Sequence, residues 1–274
     1  MPLAETEMML VIAGFVLLML GGEFVVQGAV TIANRMRVSP LLVGFTVVAI
    51  GTSLPELAVA LEAVGNDTPD IAVGGVLGSN VANVMLVLGT AAVLGAASDP
   101  GPGVRRDAIA VAVATVILLA TVLIGKITGQ FGVIMLLGLA AYYTYSYRTS
   151  KAEGVDVGGS KSWLPENVLL AIPTTAVGGY MIWTGAEMLV EGATGLAIDY
   201  GISESVIGLS VVALGTSLPE LAVTLVAGLR GQGGVAIGNI LGSNVINILG
   251  ILGLTSAYAG GIIIAPEFAG RDIW

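Results

Sequence analysis

The chain has 274 residues, of which 55% are hydrophobic and only 11% charged, and its mean hydropathy is +0.96. This balance excludes an ordinary soluble domain and predicts a membrane protein. The absence of cysteine and histidine from the sequence excludes thiolate and imidazole metal sites, whereas the formal net charge of -9 carries little weight.

Eight apolar segments reach the length of about 20 residues that a membrane-spanning helix needs. In chain order they are residues 8–34, 40–64, 71–97, 107–125, 129–147, 165–198, 205–229 and 235–262. The alternating pattern of a barrel is missing, so the predicted fold class is an all-α polytopic membrane protein in a lipid bilayer. The first basic residue is Arg35, so the first segment is predicted to be a retained span rather than a cleaved signal.

The distribution of Lys and Arg over the loops predicts the orientation. With the N-terminus outside, eight of the ten basic residues fall in cytoplasmic loops, and only Lys126 and Arg271 fall outside. The sequence therefore predicts a multi-pass protein of the cell membrane. The polar, glycine-rich segment 148–164 is predicted to be a cytoplasmic linker.

The two sides of this linker are copies of one sequence. A shift of 164 residues aligns Gly21–Gly89 with Gly185–Gly253 without a gap, and from Gly44 onward 25 of 46 positions are identical. Five spans precede the linker, so the second copy is expected to cross the membrane in the opposite sense, as in inverted-repeat transporters. The predicted units are residues 1–147 (spans 1–5) and 165–274 (spans 6–8). The second unit is expected to be incomplete, with eight spans of an original ten.

The most informative motif of each copy is Gly-Thr-Ser-Leu-Pro-Glu, at Gly51–Glu56 and again at Gly215–Glu220. A glutamate within a membrane span is costly unless it faces the protein interior or a polar cavity. The preceding proline cannot donate a backbone hydrogen bond, which frees a carbonyl oxygen. The motif therefore favours a cation site, and a protonated glutamate that bonds a neighbouring helix is the structural alternative.

Further polar residues follow at helical spacing. Ala49, Thr52, Ser53 and Glu56 share one helix face, and Ser79 and Asn83 lie four residues apart on the next span. The second copy repeats these positions as Ala213, Thr216, Ser217, Glu220, Ser243 and Asn247. If the copies meet at the membrane centre, they offer two carboxylates and many neutral oxygens, which suit Ca²⁺. Two glutamates would neutralise one Ca²⁺, and competition with several Na⁺ would give coupled exchange.

The two motifs of each half, GTSLPE and then GSNVxN, resemble the alpha repeats of the sodium/calcium exchangers in the cation/calcium exchanger superfamily. The likeness is closest to the short prokaryotic members and strongest in residues 44–89 and 208–253. It implies a fold of two inverted five-helix repeats and the extrusion of Ca²⁺ in exchange for Na⁺. This chain departs from the family in one respect, because Asn247 stands where many of these exchangers carry Asp.

The resemblance also implies roles for the site residues. Glu56 and Glu220 would be the principal Ca²⁺ ligands, with the backbone carbonyls of Thr52 and Thr216. The flanking Na⁺ sites and the central position would be formed by Ser53, Ser79, Ser217 and Ser243, by the carbonyls of Ala49 and Ala213, and by Asn83 and Asn247.

These observations predict a monomeric Na⁺/Ca²⁺ antiporter that works by alternating access. A Ca²⁺/H⁺ antiporter, whose glutamates take up protons when calcium leaves, is the close alternative, and a passive cation channel is a more distant one. An intramembrane hydrolase with two acidic residues is disfavoured because it leaves the surrounding hydroxyls unexplained. No resident cofactor, nucleotide or nucleic-acid partner is expected.

Overall fold

The computed structural model describes residues 2–99, 101–152, 167–202 and 215–272. Within these ranges the chain is mostly helical. Its α-helices are α1 (Pro2–Met36), α2 (Pro40–Thr52), α3 (Leu54–Gly65), α4 (Pro69–Val93), α5 (Val104–Ile124), α6 (Gly129–Ala152), α7 (Val168–Asp199), α8 (Leu218–Leu229) and α9 (Gly233–Ala259), and a short π-helical segment, Phe268–Asp272, follows them. Three of them contain π-helical turns, α2 at Gly44–Val48, α4 at Asn83–Val87 and α9 at Ile246–Leu252.

Five helices of the described chain, α1, α4, α5, α7 and α9, are long and apolar enough to cross a membrane, and the bent pair α2–α3 makes a sixth. The sequence predicts eight spans. The predicted seventh span, 205–229, lies partly outside the described residues, so only its second half is visible as α8. The predicted fifth span is α6, which is 24 residues long but less apolar than the five.

The end of α6 differs from the predicted boundary of the linker. The helix continues to Ala152, so the first residues of the segment 148–164 are helical. Residues 153–166, which make up most of that segment, lie outside the described residues. The next helix begins at Val168, directly after Asn167, whose side chain accepts a hydrogen bond from the Leu169 N–H as an N-cap.

The mostly helical chain also contains one pair of short strands, which the sequence does not predict. β1 (Lys126–Thr128) pairs antiparallel with β2 (Gly261–Ile263), although the sequence predicts helix as far as residue 262. Helix α9 ends at Ala259 because Gly260 adopts a left-handed conformation, with φ 74°. The β-branched residues that follow then find a partner strand at the turn between α5 and α6.

The GTSLPE motif breaks its helix rather than continuing it. Ser53 has φ −90° and ψ 7°, and α2 and α3 meet there at an angle of 45°. The residue before α8, Ser217, has nearly the same conformation, with φ −91° and ψ 1°. The prediction of one continuous helix face through Glu56 is therefore wrong, because Pro55 cannot donate to the preceding turn and the backbone leaves the helix at Ser53.

Glycines allow the central helices to approach closely. A Cβ atom on Gly44 of α2 would lie 2.5 Å from the Val235 carbonyl of α9. Similarly, α1 and α7 are in contact at Gly21 and Gly178, where added Cβ atoms would lie 2.7 and 2.8 Å from the carbonyl of the opposite glycine. Small residues at helix interfaces permit such backbone contacts in membrane proteins.

A buried ionic cluster holds α5 against α6. Asp107 is fully buried, and its carboxylate accepts hydrogen bonds from Arg106 Nε at 2.8 Å and from the Tyr142 hydroxyl at 2.6 Å. The neighbouring Tyr143 hydroxyl is buried without a partner among the described residues. Both tyrosine rings pack against Phe45 of α2, so the cluster also supports the helix that leads to the site.

The replacement Tyr142→Phe should destabilise the protein by about 2 kcal/mol, because it removes a hydrogen bond to a buried carboxylate. Tyr143→Phe is the matched control and should leave the stability unchanged or slightly higher, because it removes an unpaired buried hydroxyl. Thermal unfolding in detergent compares the two variants with the parent. Equal losses of stability would show that ring packing, and not the bond to Asp107, sets the role of Tyr142.

Candidate functional site

Two buried glutamates form the centre of the site. Glu56 at the start of α3 is 7% exposed, and Glu220 at the start of α8 is 0% exposed. The Ser53 hydroxyl of the first half donates to Glu220 Oε1 of the second half at 3.2 Å. Within each half, Ser79 donates to Glu56 at 3.3 Å and Ser243 donates to Glu220 at 3.3 Å. The two halves of the chain therefore meet at these carboxyl groups.

Several oxygen atoms of the site have no hydrogen-bond partner among the described residues although they are buried. They are Glu56 Oε2, Glu220 Oε2, Asn83 Oδ1, Asn247 Oδ1 and the Ser217 hydroxyl. Burial of a polar atom without a partner is unfavourable, and a cation coordinated by these oxygens would remove that cost. The atoms are hard oxygen donors, which fit Na⁺ and Ca²⁺.

Asparagine side chains connect α4 to α9 beside the glutamates. Asn247 Nδ2 donates to Ser79 Oγ at 3.1 Å and to Asn80 Oδ1 at 3.1 Å. Asn83 Nδ2 donates to Asn244 Oδ1 at 3.5 Å. Asn83 begins a π-helical turn and Asn247 lies within another, and such turns are frequent at functional sites.

One residue of this network, Asn239, is not among the predicted site residues. It is fully buried, its Oδ1 accepts a hydrogen bond from Thr52 Oγ1 at 3.1 Å, and its Nδ2 donates to the Glu220 backbone carbonyl at 3.4 Å. It lies four residues before Ser243, so helical spacing could have indicated it. A search for residues that are identical in the two copies does not find Asn239, because the equivalent residue is Gly75.

Most of the other predicted residues also lie in this region. The Ala49 carbonyl accepts hydrogen bonds from the Ser53 N–H at 3.1 Å and from Thr52 Oγ1 at 3.4 Å. Thr216 is half-buried and lines a cavity together with Glu56. Ala213 lies outside the described residues.

The site carries few charges for its number of polar atoms. Within the described part of the chain, no group of three or more His, Cys, Asp or Glu side chains is placed to hold a metal ion. The oxygen donors are thus two carboxylates surrounded by hydroxyl and amide groups. Two carboxylates balance one divalent cation, and neutral oxygens add ligands without adding charge.

Comparisons with known proteins agree with one another. A family model described as sodium/calcium exchanger protein matches residues 6–148 and 170–273. The sodium/calcium exchanger MaX1 of Methanosarcina acetivorans is 31% identical over a gapped alignment of 294 positions, which covers 91% of this chain and 82% of the relative.

Solved structures are similar over nearly the whole chain. The sodium/calcium exchanger from Methanococcus jannaschii matches with a TM-score of 0.79 and 29% identity, covering 96% of this chain and 84% of that one. The sodium-calcium exchanger NCX_Mj soaked with 10 mM Na⁺ and 10 mM Sr²⁺ matches with a TM-score of 0.79 and 28% identity, covering 98% of this chain and 92% of that one.

Proposed function

Since the chain belongs to the sodium/calcium exchanger family and is a transmembrane cation/Ca²⁺ exchanger, we propose that it exchanges Na⁺ for Ca²⁺ across the cell membrane. The observation that carries this proposal is the pair of buried glutamates. Glu220 accepts from Ser53 of the other half, Glu56 accepts from Ser79, and one buried oxygen of each carboxyl group is unpaired among the described residues. Two facing carboxylates repel each other when empty and are neutralised by one Ca²⁺.

The oxygens around the glutamates support Na⁺ as the counter-ion. Ser53, Ser79 and Ser243 each donate a hydroxyl proton to a glutamate, which leaves oxygen lone pairs for a cation. On Ser79 one lone pair remains, because its oxygen also accepts from Asn247. Na⁺ is bound by such neutral oxygens, whereas a proton needs only one basic group. A solved relative was studied with Na⁺ and Sr²⁺, which is consistent with this pairing of a monovalent and a divalent cation.

Ligand assignments follow the sequence prediction. Glu56 and Glu220, with the carbonyls of Thr52 and Thr216, hold Ca²⁺. The Na⁺ sites use the four serines Ser53, Ser79, Ser217 and Ser243 and the carbonyls of Ala49 and Ala213, and Asn83 and Asn247 line the central position. Asn247 carries no charge, so the site binds a dication and several Na⁺ with only two carboxylates.

The transport cycle is proposed to be alternating access in a monomer with its N-terminus outside and residues 148–164 in the cytoplasm. Two inverted repeats hold the site near the middle of the bilayer. Helices α1 and α7 touch through their glycines, as at Gly21 and Gly178, which favours their movement as one body against the helices that carry the glutamates.

Replacement of Na⁺ by choline tests the choice of counter-ion. In vesicles preloaded with Na⁺, uptake of radioactive Ca²⁺ should be fast, and with choline inside at the same pH it should fall to the background of protein-free vesicles. A pH gradient alone should not restore it. Uptake driven by the pH gradient in choline would instead establish Ca²⁺/H⁺ exchange, and uptake without any counter-ion gradient would establish a channel.

A further inference from the structure

The side-chain amide of Asn247 has one orientation that fits its neighbours. Its Nδ2 donates to Ser79 Oγ at 3.1 Å and to Asn80 Oδ1 at 3.1 Å, so both of its protons are used. Asn247 is 0% exposed, and its Oδ1 is buried without a hydrogen-bond partner among the described residues. The amide therefore has an oxygen, and not an N–H, free to contact a cation.

Asn80 fixes this orientation. Its Nδ2 donates to the backbone carbonyl of Asn244 at 3.4 Å, and a carbonyl can only accept. The side-chain oxygen of Asn80 is thereby directed to Asn247, where only Nδ2 can donate to it. The other neighbour, Ser79, has a hydroxyl that can rotate and either donate or accept, so it does not by itself select one orientation of Asn247.

The second half of the chain contributes the equivalent contact. Asn244, which lies 164 positions after Asn80, accepts with its Oδ1 from Asn83 Nδ2 at 3.5 Å. This distance is longer than that of a usual hydrogen bond, so the contact is the weaker of the two. Asn83 Oδ1 is also buried and unpaired within the described chain. Each inner asparagine, Asn83 or Asn247, is thus held by an outer asparagine of the opposite half.

Orientation matters more for an amide than for a carboxylate. An amide carries no net charge, and it attracts a cation only when its oxygen is directed at the ion. The reversed amide of Asn247 would present its N–H groups, the positive end of the dipole, to the same ion. A neutral ligand at this position therefore needs a neighbour that prevents its rotation.

From these contacts we infer that Asn80 is a positioning residue of the cation site. It acts through Asn247, whose oxygen it holds toward the ion, and it does not bind the ion itself. Asn244 has the corresponding, weaker action on Asn83. The inference rests on the proposed function, since it assigns what orients one ligand of the same site.

Equilibrium binding of radioactive Ca²⁺ to the full chain in detergent, without Na⁺, tests the inference. Asn80→Leu keeps the approximate volume of the side chain but removes the acceptor, and it should weaken Ca²⁺ binding about fivefold to tenfold. Asn247→Ala removes the oriented oxygen and should weaken binding by a similar factor. In the Asn247→Ala background, Asn80→Leu should weaken binding by at most about twofold, because no amide is left to orient.

The same four proteins separate positioning from a structural role. Asn80 also connects α4 to α9 through the Asn244 carbonyl, and a loss of that connection alone would weaken binding equally in both backgrounds. Equal losses, or no loss on replacing Asn80 in the parent, would overturn the inference. Asn80→Ala also lacks the acceptor and replaces Asn80→Leu if size-exclusion profiles show that the leucine variant does not fold.

Thr90→Val is the matched control on the same helix. The Thr90 hydroxyl donates to the Leu86 carbonyl of α4 itself, so the replacement removes a polar group without touching the site. Its affinity for Ca²⁺ should equal that of the parent. A loss as large as that of Asn80→Leu would mean that Ca²⁺ binding responds to any change in α4, and it would remove the support for positioning.

Failure of this inference and failure of the proposed function give different results. If choline leaves Ca²⁺ uptake unchanged but the effect of Asn80→Leu depends on Asn247, Na⁺ coupling is wrong and the positioning role stands. If uptake requires Na⁺ but the two losses of affinity are independent, the proposed function stands and the inference fails. The inference also fails if Asn247→Ala binds Ca²⁺ as tightly as the parent.

Discussion

Replacing either Glu220 or Glu56 by Gln should lower Ca²⁺ transport at least about 100-fold, because removing one charge from a buried ionic arrangement costs about 3–5 kcal/mol. Glutamine keeps the size of the side chain and can still accept from Ser53 and Ser243, which donate to Glu220. The expected loss of transport therefore measures the effect of removing the negative charge. One remaining carboxylate would leave a bound Ca²⁺ with a net positive charge in a low-dielectric interior.

Initial rates of Na⁺-driven uptake of radioactive Ca²⁺ into vesicles measure this effect. Glu5→Gln is the matched control, since Glu5 is an exposed acidic residue in the first turn of α1. Its transport rate per molecule should equal that of the parent. Unchanged flux in both site variants would remove the two glutamates from the cation site. A loss in only one variant would show that a single carboxylate suffices.

The repeated motif allowed the centre of the site to be predicted from the sequence. Two copies of one pattern fix which residues are equivalent. A carboxylate in an apolar helix is expected to face the protein interior or a polar cavity, so the two carboxylates are expected to lie close together. The structure joins Glu220 to Ser53 and Ser243, and Glu56 to Ser79. Their roles as ligands remain predictions.

Features that depend on contacts distant in sequence could not be predicted in the same way. The strand β2 forms because Gly260 ends α9 and because β1, more than a hundred residues earlier, offers a partner. Neither segment contains enough residues for a periodic pattern. The break at Ser53 has a local cause in Pro55, but its angle is set by the packing of the surrounding helices.

Asn239 illustrates a different limit. The comparison of the two halves identifies positions with the same residue. Asn239 is not one of them, because the equivalent residue in the first half is Gly75. In the sequence alone, an asparagine in one copy and a glycine at the equivalent position of the other look like an ordinary difference within an apolar segment. The hydrogen bonds to Thr52 and Glu220 show what Asn239 does in the second half, and Gly75 has no side chain that could make them in the first.

The second large effect is expected at Gly242, which should not tolerate alanine. A Cβ atom there would collide with the Phe45 carbonyl and lie 2.7 Å from Ala49 Cβ, so α9 would have to move away from α2. Forced overpacking of this kind should destabilise the protein by about 3 kcal/mol. Thermal unfolding in detergent should show a lower transition temperature, and transport should fall because both helices carry site residues.

The matched control for Gly242 is its equivalent in the first half, Gly78, which stands in the same Gly-Ser-Asn motif. A Cβ atom on Gly78 would meet no heavy atom within 4 Å outside its own helix in the described chain. Gly78→Ala should therefore leave the stability unchanged or raise it by up to about 1 kcal/mol through helix propensity. Equal destabilisation by both variants would mean that α4 is as closely covered at Gly78 as α9 is at Gly242.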